Sequence, residues 1–273
     1  KYPCMFHLDI PHTTHPAAIE FFKKQLGYLK GVLEECSGKK VSTTHVKEAI
    51  LLYNKQRALV RQLYDLRKVA FPPISATEVL QVMISLMTIP VEEGNLLLGK
   101  VLEEVKDRPV NVAQKKTRVL ATGCVIDNIV LTNLIEDSGL NIVMDDTPIG
   151  TRTLWHDIEL TENPLDGMAS HYLNELVCPQ TFRDTGKTRE EDLENRFGYL
   201  RGFIKEWNIN GVYMNSVRNC DIHGYEIPEL RHYLEEMLGV PLLVVEHDYS
   251  SVALGPLRTR FQAFAERIEQ KAG

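Results

Sequence analysis

The sequence has no CxxC pair, no glycine-rich phosphate loop, no long apolar run and no surplus of positive charge. Each absence removes a class of function. The five cysteines (Cys4, Cys36, Cys124, Cys178 and Cys220) are odd in number and widely scattered, so a disulfide framework is not expected, and a reduced, cytoplasmic setting is the default. Neither GxGxxG nor GxxxxGK[ST] occurs, which argues against a nucleotide held by this chain. No stretch reaches the ~20 apolar residues of a membrane span. Lys and Arg number 31 against 37 Asp and Glu, a net charge of −6. That balance argues against nucleic acid or an anionic membrane as partner, because phosphate binding needs clustered cations. Internal repeats and low-complexity tracts are also lacking.

What is present is an ordinary globular composition, 273 residues with 44% hydrophobic and 25% charged. It is ample for a buried core in one large or two modest domains. Residues 5–10 read as a short strand ended by Pro11. Apolar positions at Ile19, Phe22, Leu26, Leu29 and Leu33 then recur at helical spacing, closed by Gly38. Ser42 or Thr43 caps a second helix reaching about Val69, and two more cover 76–87 and 91–106, joined at Pro90.

After the polar "RPVNVAQKKTR" (108–118) the pattern becomes short apolar runs alternating with helices. "RVLAT", "NIVM", "GVYMN" and "PLLVVE" read as strands, with helices near 127–138, 164–176, 189–207, 228–238 and 257–271. This alternation predicts an α/β fold with a doubly wound parallel sheet, flavodoxin-like, over residues 111–273. Residues 1–110 are expected to hold the end of a first α/β domain and a helical region that completes or bridges it.

Open α/β sheets bind ligands beyond the carboxyl ends of their strands. Here those ends carry Cys124, Asp145 and Asp146, the run Ser216–Cys220, and His247-Asp248. Cys178 lies in a loop, "VCPQTFRD", so three cysteines are expected near one rim. Cys220 and His223 have C-x-x-H spacing, half of a zinc site, but no second pair completes it. A thiol nucleophile at a helix start, an iron–sulfur ligand and an inert buried cysteine are the other readings. Cys4 and Cys36 read as structural. Asp146 and Arg152, in "MDDTPIGTR", either orient each other or hold a polar substrate group. Arg258 and Arg260 open a helix against its dipole, which suggests an anionic ligand or a partner's carboxylate. His12 and His15 read as core or capping residues.

Taken in order, "LDIPH", "YNKQRALVRQLYDLRK", "TGCVIDNIVLTNLIEDSGLNIVMDDTPIGTR", "NPLDGMASHYL", "VCPQTFRD", "NGVYMNSVRNCDIHGYEIPELRHYLEEMLGVPLLVVEHDY" and "LGPLRTRFQAF" cover nearly the whole chain. The series resembles the family of 2-hydroxyacyl-CoA dehydratase and benzoyl-CoA reductase subunits, of the 2-hydroxyglutaryl-CoA dehydratase D-component type. The resemblance implies one-electron chemistry on an acyl-CoA thioester. An ATP-hydrolysing activator with its own iron–sulfur cluster passes a low-potential electron to a [4Fe-4S] cluster in this component. In the dehydratases a ketyl radical then expels the hydroxyl group; in the reductases an aromatic ring is reduced. A homologous second subunit is implied, and this chain is alternatively a non-catalytic partner in such a dimer.

By the same resemblance, Cys220 in "RNCDIH" matches the family's C-terminal cluster ligand, with His223 a neighbour. The other two ligands of typical members lie upstream of "LDIPH", outside this chain, which is expected to lack its N-terminal part. Either those ligands are absent and the 273 residues alone hold an incomplete cluster or none, or Cys124 and Cys178 take their place. Many relatives also carry a cysteine in the loop where Thr147 and Pro148 stand here.

Overall fold

The computed structural model describes residues 5–109, 116–183, 188–248 and 254–272. Four long helices come first. Helix α1 (Pro16–Ser37) starts with proline, whose missing N–H costs nothing in the first turn. Its cap is His15, whose Nδ1 accepts from the Ala17 amide, and it ends on Gly38 at φ 67°. Helix α2 (Thr43–Asp65) is capped reciprocally by Ser42 and His45. Helix α3 (Ala76–Thr88) has a Ser75–Glu78 capping box, which satisfies two orphan amides at once. Helix α4 (Val91–Lys106) follows Pro90.

The sheet is built from β1 (Thr117–Gly123), β2 (Leu140–Asp146), β3 (Gly211–Val217) and β4 (Leu242–His247). All pairings are parallel and the order is β2-β1-β3-β4. Between and after the strands lie α5 (Ile129–Asp137), α6 (Thr151–Leu154), α7 (Pro164–Ser170), α8 (Arg189–Phe197), α9 (Tyr199–Glu206), α10 (Asp221–Arg231) and α11 (Leu254–Ala272). Helices α7 and α10 each run on into a π-helical turn, His171–Glu175 and His232–Met237.

Alternate strand residues serve opposite faces. Val119, Ala121, Tyr213 and Val245 pack with Leu134 of α5 and Phe261 of α11. Leu120, Val212, Met214 and Leu242 share the other core with residues of α2, α3, α4, α8 and α10. Covered on both faces, the strands are apolar through their central residues, as buried parallel strands are. The register of β1 on β2 shifts between Val119 and Leu120, so that Val143 is an extra residue. The fold is the expected flavodoxin-like doubly wound one, and helices α2 to α4 share its core. No helix among the described residues is long and apolar enough to cross a membrane.

Several expectations need correction. Residues 5–10 are not a strand: Met5 is 95% exposed, and the nearest pairing is a single bridge from Thr13 to Phe182. An extended segment with no neighbour to bond is not held as a strand. The single helix over 189–207 breaks at Gly198 into α8 and α9. Helix α10 begins at Asp221 rather than Pro228, which lies inside it. Its buried positions are His223, Glu226 and Leu230, at i, i+3 and i+7, and two of the three are polar. An apolar periodicity is therefore not there to find. Residues 110–115, most of the polar stretch at 108–118, and Cys4 lie outside the described residues. Cys36 is disulfide-bonded, which corrects the expectation of a fully reduced chain.

Candidate metal-binding rim

Strand β1 has β2 on one side and β3 on the other, so the chain reverses its direction of winding between β1 and β3. The crevice beyond the carboxyl ends of two such strands is where doubly wound folds bind ligands. Cys124 follows β1 directly, and Cys220 lies three residues past β3.

Cys124 is placed by backbone constraints. Gly123 has φ 97°, and a Cβ there would stand 2.3 Å from the Asn215 carbonyl oxygen, so glycine is required. The Cys124 amide donates to that same oxygen at 2.8 Å. Asn215, fully buried in β3, donates from its side-chain nitrogen to the Val125 carbonyl at 3.0 Å and accepts from the Tyr213 hydroxyl at 2.8 Å. On the other strand, Asn219 turns the chain at φ 63° and Cys220 becomes the N-cap of α10. Cys220 and His223 then sit one turn apart on one side of the helix.

The three side chains converge. His223 Nδ1 lies 3.3 Å from Cys124 Sγ and 3.3 Å from Cys220 Sγ, and all three donor atoms fall within 4.8 Å of one another. Cys124 and His223 are buried and Cys220 half-buried. Burial, helped by the neighbouring Cys220 sulfur, pushes the Cys124 thiol up to about 11. Burial also lowers His223, and the Arg152 charge adds to this.

Behind the imidazole, the Gln180 amide nitrogen stands 3.0 Å from His223 Nε2 and donates to Glu226 Oε2 at 3.4 Å. Cys178 Sγ lies 3.8 Å from Gln180 Oε1, so the third expected cysteine reaches the rim through Gln180 and not through the other sulfurs. Glu226 is 1% exposed and its Oε1 has no hydrogen-bond partner among the described residues. Burial raises the Glu226 carboxyl, with Arg152 opposing.

Asp146 and Arg152 do orient each other. Arg152 donates from Nη2 at 2.8 Å and from Nε at 3.1 Å to the Asp146 carboxylate, and the Tyr199 hydroxyl donates to the same group at 2.7 Å. Burial alone would lower the guanidinium, but Asp146 outweighs it and the net direction is upward. A cavity of about 120 Å³ opens beside this pair, walled by Trp155, Val177, Tyr199 and Phe203. Arg258 and Arg260 stand elsewhere, exposed on α11, with Arg258 3.9 Å from Asp137 and Arg260 bonded to the Val244 carbonyl. His12 is exposed, and its carbonyl accepts from the Phe182 amide.

Two sulfurs and an imidazole in a water-poor recess are soft donors, and they suit a thiophilic metal, iron–sulfur or zinc. Donor chemistry therefore fits an iron–sulfur group held by Cys220 and Cys124. Gln180, Glu226 and Asn215 are not singled out by the sequence. The available signals are a polar residue at the end of an apolar strand and a buried-side i, i+3 relation between His223 and Glu226.

The chain is 26% identical over 252 residues to the (R)-phenyllactyl-CoA dehydratase β subunit of Clostridium sporogenes, covering 92% of this chain and 64% of that one. It is 27% identical over 254 residues to a benzoyl-CoA reductase subunit of Thauera aromatica, covering 91% and 63%. It is 23% identical over 274 residues to the (R)-2-hydroxyglutaryl-CoA dehydratase β subunit of Acidaminococcus fermentans, covering 98% and 69%. The chain thus spans a little under two thirds of the length of the first two relatives. Residues 1–268 match the family description 2-hydroxyglutaryl-CoA dehydratase, D-component, and the chain belongs to that family.

Proposed function

We propose that this chain is part of a subunit of an iron–sulfur enzyme that dehydrates 2-hydroxyacyl-CoA thioesters by one-electron chemistry. The observation that carries the reading is the meeting of Cys124, Cys220 and His223 at the switch point of the sheet, in a chain that matches a dehydratase family over residues 1–268. Bound there, a [4Fe-4S] cluster would supply a one-electron donor beside a Lewis-acidic iron. Cys220 and Cys124 are the thiolates that would hold it, and Cys178, in contact with Gln180 beside His223, is the remaining candidate.

The chain's own residues do the rest. The buried Asp146–Arg152 pair fixes the loop after β2, and the cavity beside it offers apolar walls that exclude water from an acyl group. An acyl-CoA substrate, a homologous second subunit and an ATP-dependent activator protein complete the reading.

A benzoyl-CoA-type ring reductase is the second reading, favoured by the 27% identity to a protein of that name. The deciding experiment is anaerobic purification of the full-length protein with its neighbouring subunit, iron and sulfide analysis, EPR, and an acyl-CoA screen with the activator. Dehydration of a 2-hydroxyacyl-CoA with iron lost in C220A supports the reading. Ring reduction would transfer it to the reductases. Full iron and full activity in C220A would leave this chain a non-catalytic partner.

A further inference from the structure

We propose that Gln180, backed by Glu226, fixes His223 in the tautomer that carries its hydrogen on Nδ1, so that the ring donates one N–H to the sulfurs of Cys124 and Cys220. Gln180 and Glu226 are then positioning residues for the thiolates of the rim, acting through His223. The redox consequence of this bond rests on the iron–sulfur reading above; the tautomer itself does not.

A neutral imidazole has one donor and one acceptor nitrogen, and the bond made by one decides the state of the other. His223 Nδ1 lies 3.3 Å from both sulfurs, and Nε2 lies 3.0 Å from the Gln180 amide nitrogen. An amide nitrogen only donates, so Nε2 is the acceptor and the hydrogen resides on Nδ1, facing the two sulfurs. The Gly123 backbone, one residue before Cys124, is a further acceptor for the ring.

Which end of the amide faces the ring follows from its other neighbours. The Gln180 amide nitrogen also donates to Glu226 Oε2 at 3.4 Å, while the amide oxygen accepts from Cys178 Sγ at 3.8 Å. Exchanging the two amide atoms would set an acceptor oxygen against a carboxylate oxygen and lose both bonds. Glu226 is 1% exposed and lies one turn beyond His223 on the buried side of α10, so ring and carboxylate meet the amide together. The loop that carries Gln180 is itself tied down. Arg196 Nε donates to the Pro179 carbonyl at 2.7 Å, and Arg183 donates to the carbonyls of Leu176 at 3.1 Å and Cys178 at 3.2 Å.

Hydrogen bonds to ligating sulfurs are among the features that set the potential of an iron–sulfur group. A donor at the sulfur spreads its negative charge and favours the reduced state, so His223 Nδ1–H raises the potential. The opposite tautomer would aim a lone pair at the same sulfurs and lower it. Gln180 shares its loop with Cys178, so the segment that carries the remaining candidate thiol also sets the hydrogen bond on the other two.

The test is a nitrogen NMR spectrum of the full-length protein, isotope-labelled in histidine, reduced and metal-free. His223, identified by the signals lost in His223→Gln, should show a protonated Nδ1 and a bare Nε2. In Gln180→Leu nothing donates to Nε2, and the two forms should exchange or reverse. Glu226→Leu puts an apolar side chain of similar size in place of a buried carboxylate. It should shift the ring the same way by a smaller amount, and it decides the matter where the Gln180 variant fails to fold. After iron–sulfide reconstitution, the midpoint potential followed by EPR should fall in both variants with iron content retained.

A hydrogen on Nε2 in the parent, or a His223 spectrum unchanged in both variants, overturns the positioning role. So does a midpoint potential equal in the parent and both variants. Because the spectrum is read without iron, the two readings part. A protonated Nδ1 in a protein that takes up no cluster sinks the iron–sulfur reading alone, and a cluster in a protein with a protonated Nε2 sinks this inference alone.

Discussion

The backbone amide of Cys124 donates to the carbonyl oxygen of Asn215 at 2.8 Å, so the residue that follows β1 is held by β3. That bond requires the preceding Gly123 at φ 97°, with no room for a side chain. Gly123→Ala should therefore cost on the order of 1–3 kcal/mol in backbone strain and displace Cys124. Urea unfolding and the reaction rate of Cys124 with a thiol reagent check both halves: stability should fall and the rate should rise. Unchanged reactivity would show that the sulfur is not placed by this turn.

Asp146 and Arg152 form an ion pair whose side chains are 2% and 6% exposed. Asp146→Ala leaves a buried guanidinium uncompensated and should cost about 3–5 kcal/mol. Replacing both, with Asp146→Leu and Arg152→Met, should recover most of that loss, since a buried pair often yields little net stability over apolar residues. A double-mutant cycle in urea measures the coupling. Additive single losses would mean the two side chains do not depend on each other.

His171 carries a pH dependence. Burial lowers it to about 4, with Arg57 of α2 and then His156 pushing the same way and Asp157 opposing. A group depressed in the folded state contributes stability that is complete above its unfolded value, ~6.5, and is lost as pH falls through the folded one. Across that window the loss approaches about 3 kcal/mol. Beyond the Asp157 backbone, which favours the charged ring, neither ring nitrogen is held by a partner among the described residues, so His171→Phe should hold or gain stability near neutrality and flatten the acid limb of a melting-temperature profile. An unchanged acid limb in that variant would assign the effect to other groups.

Glu136 of α5 caps α3 from outside. Its carboxylate accepts from the Ala76 amide at 2.9 Å, the Thr77 amide at 3.3 Å and the Thr77 hydroxyl at 2.8 Å. Glu136→Ala should cost about 1–3 kcal/mol through the orphaned buried amides, and hydrogen exchange at Ala76 and Thr77 should accelerate. Retained protection at both amides would count against the cap.

The fold is readable where burial and apolar pattern coincide. The four strands show as short apolar runs because both of their faces are covered, and α4 falls at its expected bounds because Pro90 and the polar tract after it mark its ends. The first turns of α10 escape because the side it buries is made of His223 and Glu226, and hydrophobic spacing cannot report a polar face. The false strand at 5–10 shows the converse: alternation without a neighbour. At the site, position on the strand rims singles out Cys124 and Cys220, and the acid–arginine pairing in "MDDTPIGTR" singles out Asp146 and Arg152. Gln180 is out of reach because its role depends on a loop folding back over α10, and no local spacing encodes that contact. Arg258 and Arg260 are selected by a dipole argument, and in the structure they meet Asp137 and the Val244 carbonyl.

Cys124 and His223 are 99 positions apart in the chain, on either side of two crossovers of the sheet. A group bound by Cys124 and by Cys220, one helical turn before His223, is a cross-link, and its grip removes loop-closure entropy from the unfolded ensemble as a disulfide over a loop of about 100 residues does, by roughly 4–5 kcal/mol at most. Occupancy of the rim is then written into the unfolding curve of the entire domain. A melting temperature that rises with added iron and sulfide, and falls back with a chelator, would make that occupancy visible without any assay of turnover.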